Sequence, residues 1–306
     1  MTNFTLGNHL RYSIADREFG YRELPTDKFK VRIGAVDQVQ YRNSSYRSEL
    51  LRTADAVYQE FGKDMVVFLS GGTDSEIVVR NFLDIGVTPR CIAINFTKGH
   101  NASDIVEAKA IATDLDLKLE VMDFDIEDFY YSGEAKEFGI GIQCTQITYL
   151  MVYYNILKLN APAVMGGEAV FTRNVSPKGS VWSYTFRENE DASAMRFSNK
   201  YQIPLVNEWF SYTPELLLHY MDDWAIKALF ADRYNYKLSS VSSKNAILRR
   251  FMPELRSKVK THGFERLLGF NYHAYKDIAS EQVKRLEASL DGIPVETILK
   301  QLRGEE

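Results

Sequence analysis

Residues 64–80 read DMVVFLSGGTDSEIVVR, and the order of apolar and polar positions divides the stretch in three. Residues 65–69 are continuously apolar, the pattern of a strand buried on both faces of a parallel sheet. Ser70-Gly71-Gly72-Thr73-Asp74-Ser75 is polar and glycine-bearing. A helix over 75–85 follows, with Gly86 as its C′ glycine and Pro89 just beyond. Upstream, Ser44-Ser45 offers a cap for a helix over 46–61 with Leu50, Leu51, Ala54, Val57 and Tyr58 on one face. Downstream, the pattern predicts strands at 90–96, 117–123 and 162–165, and helices at 105–115 and 144–159.

Strands and helices alternate, so the sheet should be parallel with right-handed crossovers. Ligands of such sheets bind beyond the carboxyl ends of the strands. That gathers 70–75, 95–98, 123–125 and 166–168 around one crevice, four loops that are polar or glycine-bearing. Asp123 and Asp125 also suit a simpler role, capping the next turn. Residues 171–200 lose periodicity and carry Arg173, Lys178, Arg187, Arg196 and Lys200. A structureless segment of that length marks either a lid or disorder. Beyond it, 214–218, 243–251 and 278–290 read as helices. Residues 1–43 are polar and aromatic, with one edge-strand candidate at 29–33. The chain therefore divides into an N-terminal extension (1–45), an α/β core (46–170), and a lid segment with a helical C-terminal region (171–306).

The chemistry of 70–75 is that of a phosphate cradle. Two glycines let the backbone turn sharply and approach a ligand, and the helix behind them presents unpaired N–H groups and a positive dipole end. Ser70, Thr73 and Ser75 add hydroxyls, and Asp74 adds a carboxylate suited to Mg²⁺. A Walker A loop would need GxxxxGK followed by Ser or Thr, and no lysine is present here.

The pattern resembles the SGGxDS signature of the PP-loop ATP pyrophosphatases, which split ATP into AMP and pyrophosphate. The stretch at 243–269, SKNAILRRFMPELRSKVKTHGFERLLG, is similar to the tail of the synthetase domain of asparagine synthetases. There a K-x-x-L-R helix precedes a proline and an R-x-K-x-G-F-like turn. Tyr201-Gln202-Ile203-Pro204-Leu205-Val206-Asn207 occupies the place of that family's R-x-P-F-L-D segment. The resemblance spans residues 64–269 and is gapped in the middle. It implies a parallel-sheet, adenine-nucleotide alpha-hydrolase-like (PP-loop) core with a mostly helical C-terminal region.

The resemblance also implies the site. Lys244 matches the lysine that contacts the ATP phosphates, and Glu168 matches the glutamate of the second loop, G-E-G-x-D-E. Phe171 stands where that family has a magnesium-binding aspartate. Catalysis would fall to Lys244, Glu168 and Asp74. Nucleotide contacts would come from Leu69, Ser70, Gly71, Gly72, Thr73, Asp74, Ser75, Asn95 and Gly167, with backbone groups near Asn95 and Leu69 reading adenine. Asp74 and Glu168 would hold Mg²⁺. Read from residues alone, the basic positions from Lys244 to Arg266 equally describe a solvated face, and Glu168 a plain loop carboxylate.

The implied activity is an AMP-forming amide or C–N ligase using ATP and Mg²⁺. It would adenylate a small carboxylate for attack by ammonia or an amine. Position 2 is Thr2, and 69 residues precede Ser70, so no glutaminase domain with a nucleophilic cysteine is present in this stretch. Ammonia would be free or come from a separate glutaminase. Modification of a nucleic-acid base and a non-catalytic nucleotide sensor stay open as alternatives. The formal charge of −4 disfavours general nucleic-acid affinity, although 244–266 holds a basic run. Cys91 and Cys144 form no CxxC or cluster pattern and suit a reducing compartment. No apolar run approaches a membrane span and the N-terminus lacks a signal-peptide core, so the expected location is cytoplasmic.

Overall fold

The computed structural model describes residues 9–24, 26–33, 45–144, 146–167, 170–176, 179–186, 188, 191–222, 248–249, 251–256 and 292–294. Leu10–Ile14 (β1), Arg17–Glu18 (β2) and Phe29–Ile33 (β3) form a small antiparallel sheet of order β2-β1-β3. β3 is the edge strand expected at 29–33. Along β1 every second side chain is buried, Leu10, Tyr12 and Ile14, as the two-residue period of a strand requires. Helix α1, Tyr46–Phe61, starts at its expected cap, where the Ser45 hydroxyl accepts the Ser48 backbone N–H at 3.1 Å.

The core then runs β4 (Val66–Phe68), α2 (Thr73–Asp84), β5 (Arg90–Phe96), α3 (Ala102–Asp114) and β6 (Leu119–Phe124). It continues through α4 (Ile126–Tyr131), α5 (Glu134–Ile142), α6 (Ile147–Leu159) and β7 (Ala163–Val164). A hairpin of β8 (Val170–Ser176) and β9 (Gly179–Thr185) follows, then α7 (Asp191–Tyr201), β10 (Leu205–Val206), α8 (Pro214–Asp222) and β11 (Gly292–Pro294).

The central sheet has the order β10-β7-β4-β5-β6, and all its pairings are parallel. Its first strand in sequence, β4, lies in the middle. The chain moves outward through β5 and β6, then crosses to β7 and β10 on the other side. The order reverses between β4 and β7, and such a reversal opens a crevice at the carboxyl ends of the two strands. This is the α/β, parallel-sheet class expected from the alternation.

Successive strand residues face opposite sides, and each side has its own core. Val67, Leu69, Cys91, Ala93, Val164 and Val206 pack with residues of α1, α2, α3 and α8. Val66, Phe68, Ile92, Ala163 and Leu205 pack with residues of α5, α6 and α7. The strand sequences are continuously apolar because both faces are covered, and each Val, Leu, Ile or Phe among them contributes roughly 1.5–3 kcal/mol when fully buried. At the end of α2, Gly86 adopts φ +78°, and the Val87 N–H reaches the Phe82 carbonyl at 2.9 Å, closing the helix as its sequence suggested.

The structure adds elements that periodicity did not predict. Residues 126–142 form α4 and α5. The segment 171–200, expected to be a lid or disordered, contains the β8–β9 hairpin and α7. Val170, Phe171, Thr172, Val181, Trp182 and Tyr184 are strand-favouring residues, and residues 177 and 178 separate the strands, the spacing of a tight hairpin. Among the described C-terminal residues, β11 pairs with β9, a strand pairing that periodicity did not predict. Helix α8 covers the expected 214–218. The expected helix at 278–290 lies outside the described residues, and of 243–251 only 248, 249 and 251 are described, as helical.

A buried ion pair joins the N-terminal sheet to the approach to α7. Arg22 Nη2 lies 2.7 Å from Glu188 Oε2, and Arg196 Nη2 lies 3.4 Å from Glu188 Oε1. All three side chains are essentially enclosed. Glu188→Gln keeps the shape and removes the charge, so the two guanidiniums lose a charge-assisted acceptor. The expected loss is about 1.5–3 kcal/mol of folding stability, measured by urea denaturation.

Candidate functional site

The loop after β4 is built from backbone geometry. Leu69 extends the strand, its N–H donating to the Ile92 carbonyl at 2.9 Å. The chain then turns at Gly71 with φ +72°, in the left-handed region. A Cβ there would stand 2.6 Å from the Asp104 carbonyl oxygen and 2.9 Å from the Ala108 nitrogen, so the loop is seated directly on the backbone of α3.

Gly72 is the N-cap of α2, and no side chain caps the helix there. The first-turn amides of Thr73, Asp74 and Ser75 therefore lack a side-chain cap at a buried helix start. Ser75 Oγ donates to the Gly72 carbonyl at 2.9 Å and sits 3.3 Å from Ser70 Oγ, which draws the two ends of the loop together. Asp74, in the first turn, is half-buried.

The loop after β7 closes the crevice from the other side. A Cβ on Gly166 would be 2.6 Å from the Asp74 carbonyl carbon and from the Ser75 nitrogen. A Cβ on Gly167 would be 1.9 Å from the carbonyl oxygen of Asn207, just past β10. The switch point is thus a stack of backbone on backbone, from α2 through Gly166-Gly167 to Asn207.

Beside the loop lies a cavity of about 210 Å³ whose walls are mostly apolar, among them Phe68, Ile92, Ile94, Phe96 and Met151. It is smaller than the roughly 300–1,000 Å³ of pockets that enclose drug-sized ligands, so it accommodates a ring system rather than a whole nucleotide. The end of β5 along it is held by Asn101, which is buried. Its Oδ1 accepts the Phe96 N–H and its Nδ2 donates to the Ile94 carbonyl, each at 2.8 Å.

Asn95 stands one strand position from the cavity lining, and its Nδ2 donates to Asp123 Oδ1 at 2.7 Å across the β5–β6 pair. Asp125 caps α4, accepting the Asp128 N–H at 2.9 Å. Further out, Glu127 pairs with Lys98 and lies 2.6 Å from His100 Nε2. Hydrogen bonding by Lys98, then by His100, holds the Glu127 carboxyl below the usual range, and Glu127 raises Lys98 in turn.

Of the residues expected at the site, Leu69, Ser70 and Gly71–Ser75 form one loop, Gly167 belongs to the loop closing over it, and Asn95 sits at the neighbouring strand end. Glu168 and Lys244 lie outside the described residues. The backbone of Phe171 lies in β8, paired with Tyr184. The described part of the second sequence motif packs against the first. Leu248, Met252 and Leu255 are buried in the core that includes α2, and the Arg256 N–H donates to Glu76 Oε1 at 3.2 Å. Glu76 is enclosed and paired with Arg80 at 2.9 Å, so one buried carboxylate in the first turn of α2 ties the C-terminal segment to the loop's helix.

Sequence reading did not single out Asn101 or Glu76, and it placed Gly166 in the crevice only as part of 166–168. A polar segment directly after a strand, 97–104, was the available signal for Asn101. Burial pushes the Cys91 thiol up to about 12, and Cys144 is buried as well. Neither is expected to react with iodoacetamide at pH 8 until the chain is unfolded, which mass spectrometry of labelled peptides checks.

No family model matches the chain, and no curated protein matches it. Solved structures that the chain matches include a predicted subunit of tRNA methyltransferase from Methanocaldococcus jannaschii, with 14% identity and a TM-score of 0.35 over 75% of this chain and 92% of that one. Another is the NH3-dependent NAD synthetase from Campylobacter jejuni, with 12% identity and a TM-score of 0.33 over 71% of this chain and 100% of that one. The NMN synthetase from Francisella tularensis has 14% identity and a TM-score of 0.30 over 78% and 94%. At such values the reading of the site rests on the chain's own residues.

Proposed function

We propose that the chain is an ATP-dependent ligase that forms AMP and pyrophosphate, activating a small carboxylate for attack by ammonia or an amine. The observation that supports this best is the SGGTDS loop between β4 and α2 at the strand-order reversal, with a buried helix start that no side chain caps. Backbone amides there suit an anion, and the adjoining cavity suits a base.

In the proposed reaction a substrate carboxylate oxygen attacks the α-phosphorus of ATP. The bond from that phosphorus to the bridging oxygen breaks, and pyrophosphate leaves with the electron pair. The acyl-adenylate is then attacked by ammonia or an amine, which forms the C–N bond, loses a proton and releases AMP. Charge accumulates on the departing pyrophosphate, so fixed N–H dipoles of residues 73–75 lower the barrier without reorganising. Lys244 would add a cation to the same phosphates.

Mg²⁺ fits this arrangement. Among the described residues no three carboxylate, His or Cys side chains cluster into a cage, and Mg²⁺ needs none, since it binds through one or two carboxylates plus substrate phosphates and retains waters. Asp74 would be one such carboxylate and Glu168 the other. When bound, the ion would neutralise phosphate charge.

The test is ATP–pyrophosphate exchange across a panel of amino acids and other small carboxylates, with AMP measured on adding ammonia. Exchange that depends on one carboxylate class is expected. If no carboxylate gives exchange or AMP while ATP is bound, the ligase reading falls.

A further inference from the structure

We infer that the segment 248–256 sets the shape of the phosphate loop from behind, with Glu76 as the positioning residue that couples the two. The inference rests on the phosphate reading of the loop given above. Glu76 touches both partners. Its backbone N–H donates to the Gly72 carbonyl at 3.0 Å, the same carbonyl that receives Ser75 Oγ, so Glu76 closes the first turn of α2 on the loop itself. Its enclosed carboxylate accepts the Arg256 backbone N–H, at 3.2 Å on one oxygen and 3.4 Å on the other. Arg80, one turn further along α2, supplies the compensating charge at 2.9 Å.

The segment bridges the two helices that hold the loop. Gly71 is seated on α3 at Asp104 and Ala108, while Gly72 is the N-cap of α2. The relative placement of α2 and α3 therefore fixes the turn between them. The segment grips α2 through Glu76 and the far end of α3 through the ion pair of Arg256 with Asp114. It reaches α1 as well, with Glu254 3.0 Å from Arg47 and the Phe251 ring centroid 5.0 Å from that of Tyr46. Arg249 Nε donates to the Leu255 carbonyl at 3.0 Å, and the Leu255 N–H to the Met252 carbonyl at 3.1 Å, so the segment docks as a folded turn.

These contacts are unequal. The ion pairs of Arg47 and Arg256 stand at the surface, where such pairs contribute little. The bond to Glu76 ends on an enclosed carboxylate, and a charged acceptor makes it stronger than a neutral one. Its donor belongs to the main chain, so it fixes where the backbone of the segment lies. An apolar side chain at 76 would fill the same space without holding that N–H. The distinctive contribution of the carboxylate is thus the register between segment and loop. If a docked segment favours the loop geometry that takes phosphate, phosphate in the loop must favour docking by the same factor.

Hydrogen exchange read by mass spectrometry, with titration calorimetry, tests this on the full chain using inorganic pyrophosphate and Mg²⁺. In the wild type, pyrophosphate should slow exchange in peptides from 70–75 and also in those from 248–256. Glu76→Leu should bind pyrophosphate about 5–150-fold more weakly, the span of ordinary couplings between sites. At saturating pyrophosphate that variant should still be protected at 70–75 but gain no protection at 248–256. Glu76→Gln keeps an acceptor for the N–H and should restore both the affinity and the coupled protection, which a general loss of stability would not do. Should Glu76→Leu fail to fold, judged by circular dichroism, Arg256→Pro removes the N–H and Arg256→Ala retains it. The proline variant should then lose the coupling and the alanine variant keep it. Pyrophosphate binding that leaves 248–256 unchanged in the wild type overturns the inference alone, as does wild-type affinity in Glu76→Leu. Absence of both pyrophosphate and ATP binding overturns the phosphate reading and the inference with it.

Discussion

Asp74→Ala is expected to lower pyrophosphate release by about 10²–10³-fold, the loss typical of removing one preorganised group that stabilises developing charge. Thr73 and Ser75 would still offer their backbone amides, since neither depends on the Asp74 side chain. Affinity for the phosphates in the absence of metal should therefore change little. What should be lost is the dependence on Mg²⁺, so the wild-type and variant rates should converge as the ion is removed. Helix α2 has a second acidic residue in its first turn, Glu76. Because Glu76 is enclosed and engaged by Arg80 and the Arg256 N–H, it is held away from the role of substitute ligand. Exchange kinetics at several Mg²⁺ concentrations measure this. A variant that turns over at the wild-type rate with the wild-type Mg²⁺ dependence would remove Asp74 from the proposed metal site.

The parts of the fold legible from sequence are those where a local pattern and its tertiary setting coincide. The run at 65–69 is apolar throughout because two cores meet on β4, and that requirement is written residue by residue. Ser45 and Gly86 mark helix ends through chemistry that acts within four residues. The parts that were not legible depend on distant partners. β10 is only two residues long and is a strand because Met165 donates to the Val206 carbonyl at 2.7 Å and the pair lies beside β7. In 126–142 the glycines at 133, 139 and 141 dilute the apolar period, and α5 becomes recognisable through its packing on α6 and α7.

The site divides in the same way. Ser70–Ser75 could be read because a phosphate loop is contiguous in sequence. Asn101 could not, because an amide that completes the end of a neighbouring strand looks like any loop asparagine until the strand is in place. Glycines at 166 and 167 were visible as a turn. Their actual constraint, contact with the backbones of Asp74 and Asn207, is tertiary.

Gly167→Ala carries the largest expected cost to the fold. The added carbon would stand 1.9 Å from the Asn207 carbonyl oxygen, 3.0 Å from its carbon and 3.1 Å from the Glu208 Cα. All three are backbone atoms, so no rotamer change relieves the contact. Relief requires β7 and β10 to part at the sheet's carboxyl edge, where their pairing is only two residues long. Asn207 and Glu208 are buried, and the displacement would also disturb Trp209, which packs on Phe82 of α2 with ring centroids 5.5 Å apart. Overpacking of this kind costs about 3 kcal/mol or more when side chains cannot yield. Gly62→Ala provides the comparison, since Gly62, unlike Gly167, has a positive φ of +74°, and nothing lies within 4 Å of its added carbon. Its cost should be limited to holding an alanine at that positive φ with extended ψ, about 1–3 kcal/mol. Thermal melts of the two variants separate steric contact from backbone strain. If Gly167→Ala melts no lower than Gly62→Ala, the β7–β10 edge is not the tightly packed wall that closes the crevice.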